Sequence, residues 1–238
     1  MKYIKFTESE IKILYSTIVK KDEVYLKKYD ILSNEDKQFL DSVLSHPSYR
    51  WDVRDYSRVR TVLDFKNWIN KYQINIDKLA YTYEDDPEIK LLNYNNKFLI
   101  NYDGINGDLH NIDYINEFDF FLFNQTIEHL YNPFTCVQNI YKSLKLGGYV
   151  FTSVPTINIP HSTPIHFNGF NTMGLSMLFK TCGFEILEVG QWGNYEYINK
   201  LFGTHTWPGY SNLSENGIKN EEKNIVSCWI LAKKSNLK

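Results

Sequence analysis

The sequence predicts an α/β protein: a doubly wound, mostly parallel sheet preceded by an N-terminal helical segment. Three observations point there. Phe118 to Phe123 is a continuous apolar run, as expected for a strand buried on both faces. After Asn132-Pro133, the residues Val137, Ile140, Tyr141 and Leu144 recur at i, i+3, i+4 and i+7, the spacing of an amphipathic helix. Strand-like and helix-like segments then alternate toward the C-terminus, the order that builds such a sheet.

Residues 1–75 read as helical. Thr7-Glu8-Ser9-Glu10 is a capping box, and Ile11, Leu14, Tyr15, Ile18 and Val19 repeat behind it at helical spacing. Ser33-Asn34-Glu35-Asp36 starts a second helix through Phe39, Leu40 and Val43, which His46-Pro47 ends because the residue before proline disfavours αR. A third helix covers Tyr56 to Tyr72. The segment shows no catalytic pattern and reads as a helical cap or a dimerisation surface.

From Asp77 the pattern changes, and residues 76–238 read as the α/β domain. Lys78 to Thr82 is a short strand. Asp85-Asp86-Pro87-Glu88 resembles a helix start, with Pro at the first helical position and acids in the first turn. Lys97 to Tyr102 is a strand ending on Asp103, and Gly107 to Ile112 a short edge strand. Gly147-Gly148 supplies the C-cap and turn of the helix after Pro133, before a strand at Tyr149 to Val154. A helix at Thr172 to Thr181, closed by Gly183, and strands at Phe184 to Val189 and Ile225 to Ala232 complete the sheet. The polar, aromatic insertion at 195–224 reads as a lid or loop.

Composition narrows the function classes. An apolar share of 43% in 238 residues builds one α/β core with an accessory segment. The net charge of −2 comes without a Lys/Arg run, which disfavours nucleic acid as a partner. Cys136, Cys182 and Cys228 have no metal or redox spacing and read as small core residues in a reducing compartment. No run of transmembrane length and no signal peptide is present, so the expectation is a soluble, cytoplasmic protein without a membrane partner.

Strand, helix, Leu144-Lys145-Leu146-Gly147-Gly148-Tyr149, strand and Val154-Pro155 resemble the class I S-adenosylmethionine-dependent methyltransferases, a Rossmann-like fold. Ile127-Glu128-His129 followed by Asn132-Pro133 is similar to the family branch with Leu/Ile-Glu-His after its fourth strand. Cys182-Gly183-Phe184-Glu185 is similar to its turn into the sixth strand, and Leu146 stands where the family has Pro. The resemblance covers residues 77–234 and implies S-adenosylmethionine as cofactor. It departs in the first half. The family's first strand ends in a glycine loop that lets backbone approach the cofactor; this chain has Ala80-Tyr81-Thr82-Tyr83-Glu84-Asp85-Asp86-Pro87. The chain is thus either a compressed methyltransferase or a methyltransferase-like binding protein that has lost its cofactor.

The resemblance implies site residues. Asp103 would hold the cofactor's ribose hydroxyls, because a carboxylate can accept two hydrogen bonds at once, and Asp108 with Leu109 the adenine. Tyr81, Thr82 and Glu84 occupy the glycine-loop position and either contact the cofactor or fill its pocket. Asn124 and Gln125 leave the fourth strand where the transferred methyl would lie. Gln125, Glu128 and His129 stand at i, i+3 and i+4, on the first turn of a helix, and form either a polar wall for the acceptor or part of a metal site with His161 or His166. A neutral Gln is a poor ligand for a divalent cation, and no metal is expected. His166, then His161, is the candidate general base for a hydroxyl acceptor, with Glu128 and His129 beside it. Trp192, Trp207 and Tyr210, next to glycines around the insertion, suit either stacking on a sugar or packing of the lid. The expected acceptor is a small hydroxylated molecule such as a sugar or nucleotide sugar, and the N-terminal helices offer a homodimer surface.

Overall fold

The computed structural model describes residues 6–16, 31–45, 50–101, 108–161 and 165–235. The proposed helix end at His46-Pro47 and the candidate Asp103 lie outside them. Residues 8–16 are helical, and Thr7 forms the expected box: its hydroxyl accepts the Glu10 amide at 3.3 Å while its own amide donates to Glu10 Oε2 at 2.7 Å. The labelled elements are α1 (Asn34–Val43), α2 (Tyr56–Tyr72), β1 (Ile76–Tyr81), β2 (Tyr94–Leu99), β3 (Phe118–Leu122), α3 (Pro133–Ser143), β4 (Leu144–Pro155), α4 (Thr172–Thr181), β5 (Phe184–Trp192), α5 (Tyr195–Thr204) and β6 (Ser227–Lys234).

The strands form one six-stranded sheet in the order β2-β1-β3-β4-β6-β5. The first four are parallel, and β6 runs antiparallel between β4 and β5. Alternation along β3 and the residue after it explains the layers. Phe120 and Leu122 face the side covered by α2, whose Val59, Phe65 and Trp68 join Phe151, Trp229 and Leu231 in one buried cluster. Phe121 and Phe123 face the other side, where Val137 and Ile140 of α3 meet Leu175 and Phe179 of α4. Each such side chain, withdrawn from water, contributes about 1.5–3 kcal/mol. Gly190 of β5 lies against Trp229: a Cβ there would overlap the indole nitrogen and come within 2.9 Å of Asp64 Oδ2, the atom that accepts the Trp229 indole N–H at 2.8 Å.

Several sequence expectations change. The segment after Asp86 is a single 3-10 turn, Pro87–Leu91, and no α-helix. Five residues are the whole element between β1 and β2, too few to cover a sheet face, and α2 covers it instead. The second strand begins earlier than expected, at Tyr94, and ends at Leu99. Residues 108–112 form a turn in place of an edge strand, because Asp108 caps it through its side chain. Gly147-Gly148 does not cap α3; Leu144 does, and its amide donates to Ile140 O. The glycine pair lies inside β4, where pairing with β3 skips from Phe118↔Leu144 to Phe120↔Tyr149, and Gly147 takes the left-handed φ of +84° that this irregularity needs. The insertion at 195–224 contains α5 and a 3-10 turn at Tyr210–Asn212. It is docked on the segment before α2: Tyr197 donates to Asp55 at 2.6 Å, and the Tyr56 amide donates to Pro208 O at 3.0 Å. Among the described residues no helix is long and apolar enough to cross a membrane.

Glu196, on the first turn of α5, accepts hydrogen bonds from Lys200, from the Ser214 amide at 3.0 Å and from the Ser214 hydroxyl. Lys200 and Ser214 hold its carboxyl down to about 2, from an ordinary value of 4.5. The stabilisation is therefore present above pH 4.5 and lost as pH falls toward 2. Glu196→Gln should lower Tm at neutral pH, with the gap to the parent closing across that acid range. A gap that stays constant with pH would contradict this role.

Candidate functional site

Polar side chains collect beyond the C-terminal edges of β1, β3 and β4, the place where open α/β sheets bind ligands. Ser153 of β4 is the centre. Its hydroxyl accepts from Arg58 Nη1 at 2.6 Å and from Gln125 Nε2 at 3.1 Å, and donates to Asn124 Oδ1 at 3.2 Å. One donor and two acceptors are all that a hydroxyl has, so Ser153 is saturated. Gln125 adopts φ +46°, a left-handed conformation unusual for a residue with a side chain, and its amide donates to Ser153 O at 2.8 Å.

Arg58 comes from α2, in the segment that showed no catalytic pattern. Its side chain is 6% exposed, and its guanidinium also donates to Asp86 Oδ1 at 3.1 Å and lies 3.5 Å from Glu88 Oε2. Arg58, in a helix where Arg60 and the apolar Val59, Val62 and Leu63 follow it, gives no signal by itself. The detectable signal was the pair of acids at Asp86 and Glu88, one on either side of Pro87, which needs a cation if buried. Burial, with the charge of Glu88, pushes the Asp86 carboxyl up to about 8, while Arg58 opposes the shift. Burial likewise pushes Glu128 up to about 8. Neither Glu128 oxygen has a hydrogen-bond partner, and the same holds for Asp86 Oδ2 and Asn124 Nδ2.

Glu128 and His129 lie on a separate 3-10 turn, Ile127–His129, and not on the first turn of α3 as expected, because α3 begins only at Pro133, capped by Asn132. The turn is joined to the loop after β4. The amides of Phe167 and Asn168 donate to Glu128 O at 2.7 and 3.2 Å, and Asn168 Nδ2 donates to Leu130 O at 2.7 Å. His129 Nδ1 lies 2.9 Å from Ile165 O, His161 Nδ1 3.1 Å from Ile159 O, and His166 Nε2 3.0 Å from Asn168 O. A carbonyl only accepts, so each of these nitrogens carries its ring's proton. The structure thus brings together Glu128, His129, His161 and His166. The His129 ring centroid is 5.0 Å from that of His161 and 6.2 Å from that of His166, and His129 Nε2 is 3.9 Å from Glu128 Oε1. Burial, with the two neighbouring imidazoles, pushes His129 down, so it is neutral at pH 7.

The other candidates disperse. Thr82 is buried at the end of β1, its hydroxyl 3.0 Å from that of Thr126. Tyr81 donates to Glu84, which also pairs with Lys97 on β2. Asp108 is occupied by its own turn: it accepts from the His110 amide and ring and from Asn111. The Leu109 side chain is fully buried in the core. Trp192 is also fully buried, edge-on to Tyr56 and Tyr197, and so belongs to the packing and not to a rim. Trp207 is 41% exposed and stands edge-on to His161 at 5.8 Å.

Residues 76–152 match a family profile described as a methyltransferase domain. Over those residues the chain matches a methyltransferase domain, and its sheet has the architecture of the class I fold. A protein of Galdieria sulphuraria assigned as a sarcosine dimethylglycine methyltransferase superposes on it with a TM-score of 0.50 and 14% identity, over 76% of this chain and 86% of that one. A possible exported protein of Bordetella parapertussis superposes with a TM-score of 0.50 and 11% identity, over 97% of this chain and 89% of that one. At those identities the likeness concerns the fold. A search of curated protein sequences returns no match.

S-adenosylmethionine is the cofactor that this methyltransferase domain implies, and the donor set fits it. The cofactor presents an ammonium, a sulfonium and ribose hydroxyls that seek acceptors, and a carboxylate that seeks donors. The unpartnered oxygens of Glu128 and Asp86 and the unpartnered Asn124 Nδ2 are of the matching kinds. No glycine precedes Gly104 in the chain, so the segment after β1 carries side chains where the resembled family has glycines.

Replacing Arg58 by Leu strands buried carboxylates and should cost about 3–5 kcal/mol of unfolding free energy. Arg58→Lys should recover only part of it, because an ammonium lacks the fork that reaches Ser153 and Asp86 together. Denaturant unfolding measures both, and a loss below about 1 kcal/mol for the Leu variant would contradict the role assigned to Arg58.

Proposed function

We propose that this methyltransferase domain O-methylates a small hydroxylated acceptor, of which a sugar or nucleotide sugar suits it best. The observation that carries the reading is the histidine cluster beside Glu128 at the end of β3. S-adenosylmethionine supplies, when bound, a methyl group on a sulfonium, which departs as a neutral thioether. Asn124 and Gln125, together with Tyr81, Thr82, Glu84 and Asp103, are the residues proposed to hold it. For Asp108 and Leu109 the proposal narrows to their backbone, since their side chains are engaged elsewhere.

A hydroxyl acceptor must lose its proton as its oxygen attacks. His166 donates Nε2–H to Asn168 O, which leaves the Nδ1 lone pair to take that proton. His161 is the alternative base, with Nε2 in the same role. Glu128 and neutral His129 form the polar wall against which the acceptor is oriented, and orientation supplies most of the rate. Trp207 offers an apolar face of the kind that packs on a sugar ring. A homodimer through the N-terminal helices is also proposed, on the exposed Ile11, Ile13 and Tyr15; sedimentation velocity checks it, and a monomer at all concentrations removes it.

Calorimetric titration with S-adenosylhomocysteine tests the cofactor. Saturable binding is expected, and no binding at millimolar ligand returns the chain to a methyltransferase-like binding protein. His166→Ala should lose at least about a hundredfold in turnover with S-adenosylhomocysteine affinity kept. An unchanged rate removes His166 as the base.

A further inference from the structure

We propose that Glu128, His129 and His161 bind a divalent transition-metal ion through two imidazoles and one carboxylate. Ligand atoms from the three residues all lie within 4.8 Å of one another. Two atoms bonded to one ion at about 2.0–2.2 Å lie at most about 4.4 Å apart, so a small inward rotation of these side chains lets one ion take all three.

Three further features mark a built site. Glu128 is fully buried, and both of its oxygens lack a hydrogen-bond partner. A carboxylate so placed requires a proton or a cation. The histidine tautomers are also set from outside. His129 donates Nδ1–H to Ile165 O and His161 donates Nδ1–H to Ile159 O, so that Nε2 bears the lone pair in both. Fixing one ring nitrogen on a backbone carbonyl so that the other can ligate is the usual support of a metal-binding histidine. Finally, the turn carrying Glu128 and His129 is tied to the following loop by the bonds from Phe167 and Asn168 to Glu128 O.

Gln125 argued against a metal because a neutral amide is a poor ligand for a divalent cation. In the fold its amide turns to Ser153, and the loop after β4 supplies His161 instead. Two imidazoles favour manganese, iron, cobalt, nickel or zinc over magnesium and calcium, which prefer oxygen ligands throughout. Three protein ligands leave positions for oxygens of the acceptor. That role rests on the O-methylation reading: an ion holding the acceptor oxygen favours release of its proton to His166, whose ring centroid is 4.9 Å from that of His161.

The test uses the untagged full chain after chelator treatment, titrated with zinc, manganese or cobalt chloride by calorimetry, with cobalt absorption as a second readout. One ion per chain is expected for at least one of the three metals. Glu128→Gln and His161→Ala should each weaken binding at least about a hundredfold, beyond the 10–100-fold typical of supporting residues. His161 lies in a loop, so its variant should keep the parent's circular dichroism and Tm. His205→Ala, at the C-cap of α5, should bind like the parent. Absence of binding at millimolar metal, or binding unaffected by both Glu128→Gln and His161→Ala, overturns the site. S-adenosylhomocysteine titration of the same metal-free protein separates the two readings: cofactor binding without metal binding removes only the ion, and metal binding without cofactor binding removes only the methyltransferase reading.

Discussion

The rest of the site depends on a buried guanidinium. Arg58 leaves α2, crosses the end of the sheet, and meets Ser153 of β4 and the two acids flanking Pro87. A cation with a 6% exposed side chain is tolerated only where it is paired and hydrogen-bonded. Its partners come from two segments far from it and from each other in sequence, so their relative positions are constrained by one side chain. Through Ser153 the constraint passes to Asn124 and Gln125, the two residues that leave β3. The carboxyls nearby outnumber the guanidinium. Burial pushes the Asp86 and Glu128 carboxyls toward the neutral form, which eases this excess, while Arg58 opposes the shift.

The compressed first crossover explains why an arginine from α2 is there at all. A full βαβ unit would place a helix N-terminus and its free amides beyond β1. Here β1 reaches β2 through one 3-10 turn, which presents few amides and covers little of the sheet. Helix α2 takes over the covering, with Phe65 edge-on to Phe151 at 4.6 Å and Trp68 at 6.0 Å from the same ring. Its N-terminal turns then overhang the strand ends, and its polar residues enter the space. Backbone donors are thus exchanged for side-chain groups.

Elements set by local periodicity were legible in the sequence, and those set by distant contacts were not. Helix α2 matches its apolar spacing from Tyr56 to Tyr72 because that spacing alone decides which face is buried. The run Phe118 to Phe123 is a strand because both of its faces are covered. The turn at Glu128 and His129 failed this way of reading. Its residues fit helical spacing, but Asn132 and Pro133 start a new helix four residues later, and a Pro-led helix does not extend backward through its own cap. Gly147-Gly148 after a helix looked like a cap, whereas its position is fixed by pairing with β3. Grouping Glu128, His129, His161 and His166 was legible from the order of strand and loop. Which nitrogen of each ring faces the others was not, since it depends on single carbonyls at Ile165, Ile159 and Asn168.

Those carbonyls determine what the cluster can do. A ring whose N–H is already donated offers its neighbours a lone pair and no proton. Three such rings beside an unpartnered carboxyl make a region rich in acceptors and poor in donors, sealed on one side by the packed core. Such a region attracts a proton, a cation or a molecule bearing hydroxyl groups, and it gives nothing to an acceptor that lacks a proton to share. A hydroxyl would satisfy one lone pair in the ground state and surrender its proton to it as the oxygen attacks. The proposed O-methylation draws on this arrangement, with Trp207 standing edge-on to His161 at the border of the cluster.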